Sequence, residues 1–401
     1  MKQSILPVLA LSAALVACEP AEPPMTAEEA ATLLAKNSII VDTHIDVPYR
    51  LEDEWADVSQ ATDGGDFDYP RAVAGGLNAP FMSIYTPPEY EAEGKSKETA
   101  EKLIDLVYGI VEAAPGKFAI ALSPDDVEAQ FSKGLISLPL GMENGSPIEG
   151  DLANLQHFYD RGIRYITLTH GLSNHISDSS YDPNRQWDGL SEFGEEVVRE
   201  MNRLGIMVDI SHVSDEAFFD VLDITSVPVI ASHSSARHFT PGFERNMSDE
   251  MITALAENGG LIMINYGSSF LTQEANEYSI KRREAVRQFM AEQEEVDEAT
   301  RDAFQAAYVE EHGEYPYADL DDVLDHFEHV INLVGVDYVG IGSDYDGVGD
   351  TLPTGLKDVS TFPNLVLGLQ QRGISDDDIV KILGGNILRV WREVEAAATS
   401  E

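Results

Sequence analysis

Eight short apolar segments, rich in β-branched residues, recur along the chain. They are 38–46 (SIIVDTHID), 77–85 (LNAPFMSIY), 136–143 (ISLPLGME), 165–170 (YITLTH), 206–212 (IMVDISH), 228–233 (PVIASH), 261–266 (LIMINY) and 338–344 (YVGIGSD). Their apolar runs are nearly continuous, the pattern of parallel strands covered on both faces. Helical periodicity fills most of the gaps, at 96–114, 151–161, 189–204, 247–258 and 319–334. Ser123-Pro124-Asp125-Asp126 and Ser214-Asp215-Glu216 read as helix starts, each a capping hydroxyl followed by an acidic first turn. Eight strands alternating with helices point to an α/β fold, a (β/α)8 TIM barrel. The alternative is an open doubly wound sheet. No GxGxxG or GxxxxGK[ST] cradle follows any strand, so a nucleotide fold has little support.

The seventh connection is long. Residues 267–318 include a Glu-rich helical stretch, read as a helical hairpin inserted at the barrel rim with a structural, dimerisation or lid role. Residues after Gly384 (GGNILRVW) read as a closing helix. With 43% apolar residues, and Gly and Pro together only 50 of 401, a large core can form. A net charge of −45 excludes a nucleic-acid binder that tracks phosphates, and argues against protein side chains adsorbing to anionic lipid.

The N-terminus carries an apolar run, Ile5 to Ala17, too short to span a bilayer and suited to a signal peptide over 1–17. It ends Leu15-Val16-Ala17-Cys18, which resembles the bacterial lipoprotein signal and implies lipidation of Cys18. Cys18 is the only cysteine, so the chain has no intramolecular disulfide and no thiolate metal cage. Residues 18–30 then form a tether before a barrel domain over 31–401, with helical sequence beginning near Thr26. Glu19 after the cysteine favours the outer membrane, so the expected location is periplasm-facing and lipid-anchored.

Chemistry concentrates at strand ends. The first segment ends in His44-Ile45-Asp46, the third in Glu143, the fourth in His170, the fifth in His212, the sixth in His233 and the eighth in Asp344. Alternate strand residues share a side, so His44 and Asp46 can both face the barrel mouth. That mouth is the catalytic face of such barrels. Imidazoles and carboxylates without thiolate suit Zn²⁺ or a similar divalent ion. The cluster is large enough for two ions, with Glu143 as the candidate bridge. A metal pair roughly 3.5–4 Å apart can hold a hydroxide, and Asp344 could handle protons beside it.

The ordered set VDTHID, GMENG, LTH, DISHVSD, VIASHSSAR, ERN and GIGSDYDG resembles the membrane (renal-type) dipeptidases, peptidase family M19, from about residue 38 to 391. The resemblance implies a metal-dependent hydrolase barrel with two Zn²⁺ per chain that cleaves dipeptides, including some with a C-terminal D-residue; some relatives open β-lactams. It implies that His44 and Asp46 hold one zinc, Glu143 bridges, and His212 and His233 hold the other. Asp344 then shuttles a proton from water to the leaving amine, and His170 contacts the oxyanion. Arg245 pairs with the dipeptide carboxylate, and a homodimer is common among relatives. Asp346 reads as a second acidic group or a loop cap. Tyr49 and Tyr266 lie just past strand ends, where a tyrosine can line the pocket or, more often, serve packing. Two alternatives stand beside this reading. One is a related metal hydrolase acting on lactones, cyclic amides or N-acyl amino acids, disfavoured because YITLTH lacks the lysine that many such barrels use as a bridge. The other is an inactive peptide- or metal-binding lipoprotein, disfavoured because every expected position is filled.

Overall fold

Each of the eight apolar segments contributes one strand to a closed parallel barrel. The computed structural model describes residues 25–293 and 298–398. Its strands are β1 (Ile40–Ile45), β2 (Leu77–Tyr85), β3 (Phe118–Ile120), β4 (Ile136–Leu138), β5 (Leu140–Glu143), β6 (Ile163–Thr167), β7 (Met207–Asp209), β8 (Ile230–Ser234), β9 (Leu261–Ile264) and β10 (Val339–Ile341). The barrel closes in the order β1-β10-β9-β8-β7-β6-β5-β2, while β3 and β4 form a separate parallel pair. This is a (β/α)8 barrel. The segment expected as one strand over 136–143 divides at Pro139, which has no N–H to donate. Its carbonyl still accepts from the Met82 amide at 2.8 Å, which starts β5 in register with β2.

Strands β7 and β10 stop short of their expected ends, at Asp209 and Ile341, where buried carboxylates take the amides that follow. Asp209 Oδ1 accepts from the amides of Ser211 (3.0 Å) and Ser232 (2.8 Å). Asp42 Oδ1 accepts from the amides of His44 (3.2 Å) and Ser343 (3.0 Å). These side chains take over amides that a continuing ladder would use, and the backbone turns. His212 (φ 70°) and Asp344 (φ 64°) then sit in the left-handed region, which non-glycine residues seldom occupy. Such backbone is held by its surroundings and clusters at functional sites.

Helices cover the outside. Glu192–Leu204, Asp215–Ile224 and Asp249–Glu257 are each capped by a serine hydroxyl, from Ser191, Ser214 and Ser248. Ala27–Asn37 starts from Thr26 with a reciprocal capping box to Glu29, as does Leu320–Val334 from Asp319 to Asp322. Inside the barrel lies a smaller core that includes Val41, Phe81, Tyr165, Met207 and Met263. The closing helix, Asn386–Ala397, plugs the end opposite the mouth with Trp391. Trp391 packs on Phe81 (5.2 Å between ring centres) and Phe81 on Tyr165 (5.4 Å); the Tyr165 hydroxyl reaches His44 Nδ1 at 2.8 Å. One aromatic column thus connects the barrel floor to its mouth.

The long seventh connection folds as the helices Gln273–Ala291 and Glu298–His312, paired through Phe289 on Phe304 (4.3 Å) and Tyr278 against Tyr308 (5.7 Å). No helix of the described residues is long and apolar enough to cross a membrane. Cys18 and the apolar run before it lie outside the described residues.

Candidate active site

Glu143, the last residue of β5, lies at the centre of the barrel mouth. Its Oε2 is 3.4 Å from His44 Nε2, which is also 3.4 Å from Asp46 Oδ2. Its Oε1 faces His212 Nε2 (3.1 Å), His233 Nε2 (3.4 Å) and His170 Nε2 (3.5 Å). His212 and His233 bring their Nε2 atoms to 2.9 Å of one another. Donor atoms also gather within 4.8 Å as His44–Asp46–Asp344, His44–Glu143–His233 and Glu143–His170–His212. Two ligands at 2.0–2.1 Å from a tetrahedral ion lie about 3.3 Å apart, so these separations suit a shared cation. His44 Nε2 is buried with no hydrogen-bond partner. His326 offers the contrast: equally buried, it accepts from the Ala236 amide at Nδ1 (3.1 Å) and pairs Nε2 with the Leu271 carbonyl (3.0 Å). His326 is a satisfied core histidine, whereas His44 presents an unpaired nitrogen to two carboxylates. The donor set fits metal.

The electrostatics agree. Burial alone would push the Glu143 carboxyl up, but His44, His170, His212 and His233 outweigh it and hold the group well below its ordinary range. Burial likewise opposes charging His44, yet Tyr165, Glu143 and Asp46 raise it well above the ordinary imidazole value. His212 and His233 are driven well below that value, first by burial and then by neighbouring cationic groups. They are neutral, the form in which imidazole binds a metal. Asp344 is pushed up to about 7, chiefly by burial and further by Asp46 and Glu143, against the opposing pull of His44.

A layer of supporting residues orients this cluster. Ser232 Oγ donates to Asp209 Oδ2 (2.6 Å), so its oxygen is left to accept from His233 Nδ1 (2.7 Å). That places the His233 proton on Nδ1 and frees Nε2, the usual logic of an outer-shell partner. Asn265 Nδ2 donates to Asp344 Oδ2 (2.7 Å), and Ser83 Oγ donates to Glu143 Oε2 (3.3 Å). Gly347 is dictated by contact: a Cβ there would meet Asp46 Oδ2 at 2.1 Å and Asp344 Oδ1 at 2.3 Å. Sequence reasoning missed these supports. The aspartates at 42 and 209 stand beside the strand-end histidines in VDTHID and VDISH, the one signal that marks them.

Above the cluster opens a cavity of about 1080 Å³, lined by Asp46, Glu143, His170, His212 and Asp344. Tyr85 and Tyr181, also missed, line it as well; their rings pack against His170 (4.8 Å) and His212 (5.9 Å). Tyr49 lines the cavity too, whereas Tyr266 is buried against Tyr345 and does not. Asp346 accepts from Arg50 Nε (2.9 Å) and the Asp66 amide (2.6 Å), bracing the loop after β10 at the cavity edge. Arg245 is buried below the cavity wall. Its Nη atoms donate to Ser234 Oγ and the His233 carbonyl, both at 2.7 Å, and its Nε has no partner.

Residues 28–401 match the family described as membrane dipeptidase, peptidase family M19. The chain belongs to that family. It is 35% identical to dipeptidase aclJ of Aspergillus oryzae, over 84% of this chain and 72% of that protein. An uncharacterised dipeptidase of Schizosaccharomyces pombe is 32% identical over 91% of this chain and 82% of its own length. Among solved structures, the probable dipeptidase PvdM of Pseudomonas aeruginosa superposes with a TM-score of 0.79 at 27% identity, covering 93% of this chain and 99% of that one. The chain is a metallodipeptidase, and the donor cluster at its barrel mouth gathers residues able to hold a metal ion.

Proposed function

We propose that this metallodipeptidase works with two zinc ions side by side and cleaves dipeptides with either an L- or a D-residue at the C-terminal position. The supporting observation is the division of Glu143, one carboxylate oxygen towards His44 and Asp46, the other towards His212 and His233. His44 and Asp46 would hold one ion and His212 and His233 the other, with Glu143 shared. Imidazole and carboxylate donors without thiolate favour zinc. Bound there, the ions supply an acidified water and polarise the scissile carbonyl.

The chain's own groups do the rest. Asn265 holds Asp344 by Oδ2, leaving the other carboxyl oxygen to take a proton from the attacking water and return it to the leaving amine. His170, kept neutral chiefly by burial, contacts the carbonyl oxygen as charge develops on it. Arg245 provides the positive charge that draws the substrate's terminal carboxylate. The lipoprotein-like run ending at Cys18 supports export and anchoring at the outer membrane, facing the periplasm. Cys18→Ser would then leave the protein in the soluble fraction; retention in membranes contradicts the anchor.

The activity test is zinc-loaded protein against L-L and L-D dipeptides, lactones and N-acyl amino acids. Turnover confined to dipeptides, abolished by chelation and restored by Zn²⁺, is expected. Preferred turnover of a lactone or acyl amino acid, or chelator-resistant cleavage, contradicts the proposal.

A further inference from the structure

The wall of the cavity facing the metal-ligand cluster comes from the inserted helix Gln273–Ala291. Ser279, Arg282, Arg283, Val286 and Arg287 line it, at the spacing that places residues on one face of a helix. That face is ordinarily the apolar stripe of a packed helix. Here it presents three guanidinium groups to the cleft, in a chain with only 26 basic residues against 71 acidic ones.

Elsewhere the arginines of this protein are largely spoken for. Arg50 pairs with Asp346, Arg185 with Glu244, Arg237 with Asp215 and Arg372 with Asp325. Among the described residues, Arg282, Arg283 and Arg287 meet no carboxylate and make no hydrogen bond. Two of them lie over aromatic rings: Arg282 is 5.7 Å from the ring centre of Tyr315, and Arg283 5.7 Å from that of Tyr181. Tyr181 in turn packs on His212, so a single ring separates the Arg283 guanidinium from the metal-ligand cluster. The carboxylates that line the rest of the cavity are already engaged, Asp46, Glu143 and Asp344 in the donor cluster and Asp346 with Arg50.

We propose that this face selects anionic substrates: dipeptides that carry a side-chain carboxylate in addition to the terminal one. The inference rests on the dipeptidase reading above and deepens it. One terminal carboxylate, drawn to Arg245 below, does not account for three further cations on the far wall. A guanidinium fork matches a carboxylate in shape and charge, and a dipeptide with aspartate or glutamate brings the second anion. The pairs are formed at a solvent-accessible face, so each contributes modestly and the preference weakens with salt.

The test compares kcat/KM within matched pairs on the zinc-loaded full chain at low ionic strength, Ala-Glu with Ala-Gln and Glu-Ala with Gln-Ala. The better acidic dipeptide is expected to exceed its amide by about tenfold, the scale of two or three exposed ion pairs. In the double variant R283Q/R287Q that ratio falls towards one, mainly through KM. R301Q removes the same charge from an exposed residue of the helix Glu298–His312 that does not itself line the cavity, and it leaves the ratio in place. Each ratio is taken within one preparation, so partial loss of folded protein cancels. Amide and acid turned over equally by the unaltered enzyme, or a preference that survives R283Q/R287Q or collapses equally in R301Q, overturns the assignment and leaves the dipeptidase reading intact. No turnover of any of the four dipeptides overturns both.

Discussion

Asp344 carries an acid–base role because of where it is held. Burial, with Asp46 and Glu143 nearby, raises it from 3.8 to about 7. In the metal-free fold this group retains its proton when the unfolded chain has already lost it. Its contribution to stability therefore falls as pH rises from about 4 towards 7. Cations reverse the sign, because they favour the carboxylate. Loading metal near pH 7 must displace protons from Asp344 and from His44, so affinity rises with pH and is lost on acidification. Calorimetry in buffers of different ionisation enthalpy should register net proton release on zinc binding. Asp344→Asn should release fewer protons, keep its metal, and lose at least roughly 10²-fold in kcat; near-normal turnover would remove Asp344 from the proton path. The histidines and acids of the cluster were legible in the sequence because each ends an apolar run. Tyr165 and Asn265 were not. Tyr165 reaches His44 across 121 residues and the barrel interior, and Asn265 reaches Asp344 across 79 from the end of the neighbouring strand, so neither contact shows in local sequence.

At the scale of elements, the strand pattern was readable because parallel strands buried on both faces are apolar throughout. The strand ends were not, since Asp42 and Asp209 stop the ladders through long-range hydrogen bonds rather than through turn residues. The inserted helices were visible as helices, but their orientation over the cavity was not. Periodicity reports a face without saying what it meets. The closing helix is the element whose local packing has the longest reach. Trp391 is buried on Phe81 at the base of the aromatic column. Trp391→Ala is expected to destabilise the barrel by about 3–5 kcal/mol, the scale for truncating a large buried aromatic. A urea midpoint unchanged from the parent would show that the plug does not support the barrel.

The molecule as a whole joins a strongly acidic surface to a mouth that concentrates imidazoles and guanidinium groups. The net charge of −45 argued in the sequence against a surface that tracks phosphates, but composition could not show that unpaired arginines collect on one wall of the cleft. The proposed function requires a barrel mouth that takes two cations, shared through Glu143. Zinc content per folded chain, measured by elemental analysis at each step of reloading the metal-free protein while dipeptide turnover is followed, tests it most directly. Two ions per chain, with activity reaching its plateau only as the second binds, is the expected result. Full turnover at one ion, or with none, would contradict it.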